Sequence, residues 1–125
     1  MAEFEPYLNC EKNHPPGPVV SNCMLIVLTT TSSHSEAESL AHRIVEAKIA
    51  ACVQVMPPMR SIYFWNGAVQ NDAEYLILIK TLPEKFDLLE EFILANHNYD
   101  TPEIVAIEAE RVSEHYMRWL TNYLT

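Results

Sequence analysis

Seventeen acidic residues, five histidines and three cysteines are the groups in this 125-residue chain that could bind a metal or move a proton. His14, His34, His42, His97 and His115 are scattered, and none belongs to a zinc-ligand spacing. Glu38, His42 and Glu46 recur at i, i+4 and i+8, which places them on one helix face able to hold a metal. An exposed charged face explains the same pattern more simply. Cys10 and His14 stand four apart without a second pair beside them, so they read as solvated side chains rather than half a site. Cys52 opens an apolar run, where a buried, inert thiol is expected. Cys23 just precedes another such run and is expected to be partly exposed. An odd cysteine count sets no disulfide framework in a chain of this length. With two glycines in the whole sequence, a glycine-rich phosphate loop is excluded. An enzyme would have only His97 and nearby carboxylates to work with.

The elements that would position these groups are regular from residue 23 onward. Met24 to Thr30 is a short β-branched apolar run, as in a strand buried on both faces. Ser33 with Glu36, or Ser35 with Glu38, makes a capping box. Ala37, Leu40, Ala41, Ile44 and Val45 then give an amphipathic helix to about Ala50. Ala51 to Met56 reads as a strand broken by Pro57-Pro58. Ser61 to Trp65, Asn66-Gly67 and Ala68-Val69 form a hairpin, because Asn-Gly tolerates positive φ at both turn positions. The returning strand resumes at Glu74–Thr81, with Asn71-Asp72 as a bulge. Thr81 and Glu84 cap a second helix with Pro83 in its first turn and a stripe of Phe86, Leu89, Phe92 and Ile93. A loop from Asn96 to Pro102, a strand from Glu103 to Ala109, and a Ser113-capped helix complete the chain. The stripe of that last helix is Tyr116, Trp119, Leu120, Tyr123 and Leu124. The order defines an α+β, ferredoxin-like βαββαβ plait with an extra C-terminal helix and a long β-hairpin arm.

Residues 1–22 hold four of the eight prolines and show no periodicity, so they read as a flexible tail preceding a single domain over 23–125. The apolar fraction of 49% supplies a core, and a net charge of −9 argues against nucleic-acid binding. No run approaches the length of a membrane span, and no basic start followed by an apolar stretch suggests a secretory leader; a cytoplasmic protein is expected. Tyr63-Phe64-Trp65 cannot bury all three rings on one side of a strand, since successive side chains alternate. A long arm also leaves unpaired edges, which pairing with sister subunits would remove, the alternative being that the C-terminal helix covers the rings within one chain.

Several segments together resemble the CutA divalent-cation tolerance family: Ala50-Ala51-Cys52, Ile62-Tyr63-Phe64-Trp65-Asn66-Gly67, Glu74 through Lys80-Thr81, His97-Asn98-Tyr99-Asp100-Thr101-Pro102-Glu103 and Tyr116-Met117-Arg118-Trp119-Leu120. The resemblance covers residues 24–125. It implies a homotrimer whose hairpins wrap neighbouring subunits, similar in architecture to the PII signalling proteins. It further implies a non-enzymatic role in tolerance of copper or another divalent cation, with metal held in intersubunit clefts. A PII-like module binding a small-molecule effector or partner protein is the alternative. The copper ligands proposed for some members match only in part, because the cysteine position reads Thr29 and the first histidine position reads Asn96. His97 remains, either as a metal ligand or as a loop histidine bonded to backbone, and Glu103 and Glu74 are the carboxylates that could join it as metal ligands. Trp65 and Tyr99 read as packing residues able to line an intersubunit cleft.

Overall fold

The structure, a computed structural model, describes residues 7–10 and 23–125. The expected tail falls mainly outside the described residues, as does His14. Of the rest, Tyr7–Asn9 forms a short strand, β1. The main sheet is built from β2 (Met24–Thr31), β3 (Cys52–Trp65), β4 (Ala68–Thr81) and β5 (Val105–Ala109). Its order is β3-β4-β2-β5, and every neighbouring pair is antiparallel. Helices α1 (His34–Glu46) and α2 (Phe86–Asn96) are the two crossovers of the βαββαβ plait. Strand β6 (Arg111–Ser113) pairs with β1, and α3 (Glu114–Leu124) ends the chain.

One face of the sheet is covered by α1 and α2. Leu25 and Val27 of β2 and Ile77 and Ile79 of β4 pack there against Leu40, Ile44, Leu89 and Ile93, all buried. A second cluster joins Met24, Ala51, Leu82 and Val112 to Met117, Leu120 and Leu124 of α3. The expected stripe of α3 is thus rotated: Met117 is buried, whereas Trp119 lies exposed beside Tyr116. Ser33 and Ser113 cap α1 and α3 by accepting from the backbone N–H groups of Glu36 and Tyr116. Thr81 does not cap α2. Its hydroxyl donates to the Ile49 carbonyl instead, and a 3-10 turn over Pro83–Lys85 starts the helix.

The opposite sheet face is covered by α3 only at one end, where Met24 and Ile26 pack against it. Residues facing each other across an antiparallel ladder project to the same side. Leu28 opposes both Leu78 and Val105, and Ile26 opposes Ile107. These aliphatics, with Leu76 beside Thr30, form a continuous apolar face on which Val105 and Ile107 are exposed.

Four local expectations are corrected. Strand β3 does not stop at Met56; it runs through Pro57-Pro58 for 14 residues. β3 is an edge strand, so a missing N–H is tolerated, and the register shifts between Val55 and Pro58. The irregularity therefore lies there, and not at Asn71-Asp72, which pair regularly with Ile62 and Ser61. Helix α1 ends at Glu46, with Lys48 in the left-handed region at φ 57°. Finally, Cys10 and Cys23 form a disulfide that ties β1 to the domain, and Cys23 is buried. The bridge also removes Cys10 from metal chemistry.

Candidate functional site

The β3–β4 arm and the loop after α2 enclose a cleft of about 580 Å³. The turn at Asn66-Gly67, with φ of 51° and 78°, pairs the two strands of the arm in unbroken register from Trp65 and Ala68 back to Pro58 and Tyr75. Strand alternation then aims Ser61, Tyr63 and Trp65 at the cleft. Glu74 and Thr30 line it from the open face of the sheet, and Tyr99, Asp100, Thr101 and Glu103 from the loop. Among the described residues, no Lys, Arg or His lines it.

Glu74 is the most confined charge at this place, with 8% of its surface exposed. One carboxylate oxygen accepts from the Tyr99 hydroxyl at 3.0 Å. No cationic side chain among the described residues pairs with it. Lys80, six residues along the same strand, is not its partner and instead sits 5.4 Å from the Tyr116 ring centre. Burial first, then the hydrogen bond to Glu74 and its charge, push the Tyr99 hydroxyl up to about 12. Tyr99 therefore remains a neutral donor. Further out, the Tyr63 hydroxyl donates to Asp72 at 2.5 Å, and that bond raises its pKa above the ordinary tyrosine value.

His97 lies elsewhere. It lines a neighbouring hollow of about 30 Å³, and both of its ring nitrogens are engaged. Nδ1 accepts from the Tyr99 backbone N–H at 3.0 Å, which places the proton on Nε2, where it donates to the Thr30 carbonyl at 2.6 Å. Its ring leans on Tyr99 with centroids 4.6 Å apart. In this arrangement His97 has no lone pair for a metal, and it holds the loop that presents Tyr99. Of the three expected ligands, the cleft brings together Glu74 and Glu103, and His97 supports them from behind. Asn96 is engaged with Arg43 and the Phe92 carbonyl. Thr29 is fully buried on the helix-covered face, and its hydroxyl has no partner among the described residues. Glu38 and His42 are exposed on α1, where His34 and Glu38 approach at 3.6 Å. Among the described residues, no three of His, Cys, Asp or Glu converge tightly enough to hold a metal ion.

Sequence reasoning missed Asp100 and the Glu74–Tyr99 bond. The usable signal was the every-second-residue run Ser61, Tyr63, Trp65 at the end of the arm. The cleft's donors are all oxygen atoms. Such a set suits a hard divalent ion, and copper(II) within a larger array, but not copper(I), which prefers thiolate or imidazole.

Fold and cleft together define a class: a small α+β plait protein with an acidic, aromatic-lined cleft between its hairpin arm and the loop after the second helix. Residues 25–123 match the family model described as CutA1 divalent ion tolerance protein, and the chain belongs to that family. It is 41% identical over 95 residues to the divalent-cation tolerance protein CutA of Thermus thermophilus, covering 76% of this chain and 92% of that protein. Identity to the chloroplastic CutA of Arabidopsis thaliana is 40% over 98 residues, covering 78% of this chain. The match spans only 54% of that plant protein's length. The solved periplasmic divalent cation tolerance protein CutA of Archaeoglobus fulgidus superposes with a TM-score of 0.79 at 33% identity, over 82% of this chain and 99% of that one. Among the described residues, no helix is long and apolar enough to cross a membrane.

Proposed function

We propose that this chain is a non-enzymatic, homotrimeric protein of divalent-cation tolerance that holds its cation in clefts at the seams between subunits. The observation that carries the reading is Glu74, a buried carboxylate facing a cleft that no basic side chain among the described residues lines. A charge so confined is costly unless a cation compensates it. Glu74 and Glu103 are the ligands this protomer offers, and His97 sets the loop behind them. Copper(II) and other divalent ions accepting oxygen donors are the candidates, with further donors supplied across the seam.

Assembly is supported by two uncovered apolar surfaces. On the arm, Ile62, Phe64 and Val69 are 69%, 71% and 72% exposed. The open sheet face adds Val105 and Ile107. Burying them between copies of the chain removes both patches and the free β3 and β5 edges. A cytoplasmic setting carries one condition, because the Cys10–Cys23 bridge persists only where thiols are not kept reduced.

Calorimetric titration of the assembled protein with Cu²⁺ and Zn²⁺ tests the reading. Saturable binding lost in Glu74→Gln and retained in His97→Ala is expected. Isotherms unaffected by Glu74→Gln would remove the cleft from metal binding. The alternative, a PII-like module with a small-molecule effector, is favoured by one observation: the cleft is far larger than a lone ion requires.

A further inference from the structure

We infer that the cleft between the hairpin arm and the Tyr99 loop takes an organic polycation, an aliphatic di- or triamine. Four observations carry this. The cleft, at about 580 Å³, has the size of a small-molecule site. Its carboxylates Glu74, Asp100 and Glu103 face no basic residue among those described, so anionic ligands such as nucleotides are repelled. Those carboxylates do not converge as a triad on a point able to hold one metal ion, whereas ammonium groups spaced along a flexible chain can meet separated charges one at a time. Tyr63, Trp65 and Tyr99 line the space between the charges, and aromatic faces attract alkylammonium groups.

Glu74 gives the site its anchor. Tyr99 donates to one of its oxygens, and no described residue donates to the other. An ammonium group presents the N–H donors and the positive charge that this oxygen lacks. The methylene chain then lies against Tyr63 and Trp65, large rings that the protomer leaves exposed. Asp100 and Glu103, exposed on the loop, meet the distal ammonium at the mouth. The inference shares with the divalent-cation reading the premise that this cleft is the ligand site. It does not depend on metal binding.

The test is calorimetric titration of the assembled full-length chain with spermidine in physiological salt, alongside Mn²⁺ and Cu²⁺. Saturable binding of one spermidine per chain is expected. Affinity should fall about thirtyfold or more in Glu74→Gln, the loss typical of removing one partner of a buried charge pair. Asp100→Asn, on an exposed loop, gives a second variant that leaves the core intact and should weaken binding severalfold. Glu91→Gln, exposed on α2 away from the cleft, should change nothing and thereby exclude general attraction to the net charge of −9. Absence of spermidine binding, or binding equal in wild type, Glu74→Gln and Asp100→Asn, overturns the inference. If Cu²⁺ binds through Glu74 while spermidine does not, only this inference fails. Conversely, spermidine bound through Glu74 without any response to metal sustains it and removes the metal reading.

Discussion

The Tyr99 hydroxyl donates to the carboxylate of Glu74 at 3.0 Å, joining the loop after α2 to the open face of the sheet across 25 positions of sequence. This bond and the two made by the His97 ring fix one wall of the cleft.

The bond has a pH signature. With its folded pKa raised to about 12, Tyr99 stays protonated in the native state where the unfolded chain ionises near pH 10. Unfolding then releases a proton, so stability is complete below about pH 10 and declines as pH rises toward 12. Absorbance titration at tyrosinate wavelengths should show a late-titrating phenol that Tyr99→Phe removes. A titration curve unchanged by that substitution contradicts the assignment.

His97→Ala should loosen the loop rather than abolish cation binding. Losing two hydrogen bonds, one to a backbone carbonyl and one from a backbone N–H, costs about 1–2 kcal/mol of stability. Chemical denaturation and amide exchange at Tyr99 measure this. Full stability with abolished metal affinity would instead make His97 a ligand.

Thr29→Val should stabilise the protein by about 1 kcal/mol. The Thr29 hydroxyl is buried without a partner among the described residues, and a methyl of similar shape relieves that desolvation cost. A lower unfolding midpoint in Thr29→Val would show that the hydroxyl has a bonded partner in solution.

Aspartate at two positions on the arm, Ile62→Asp with Phe64→Asp, should disrupt assembly while leaving the α1–α2 core untouched, because neither residue belongs to it. Sedimentation velocity is expected to show a shift from trimer toward monomer at micromolar concentration. An unchanged trimer would place the contact elsewhere on the surface.

Much of the fold could be read from the sequence, because its punctuation is local: Asn66-Gly67 marks the turn, Ser33 and Ser113 mark helix starts, and the β-branched runs mark the central strands. What escaped was set by distant partners. Pro57-Pro58 looks like a strand end until the sheet order shows β3 at an edge. The Cys10–Cys23 pairing is a matter of proximity that spacing does not encode. At the site, Glu74 and Glu103 stand out in the sequence as carboxylates, whereas a loop histidine such as His97 is equally compatible with binding metal or bonding to backbone until the fold shows backbone groups at both its nitrogens.

Native mass spectrometry of the protein in Cu²⁺, for wild type and Glu74→Gln, counts chains and bound ions in one experiment. Wild type is expected as a three-chain species carrying bound cations, and Glu74→Gln as a three-chain species without them. A single-chain species, or a cation count unaffected by the substitution, would contradict cation binding through Glu74 at the seams between subunits.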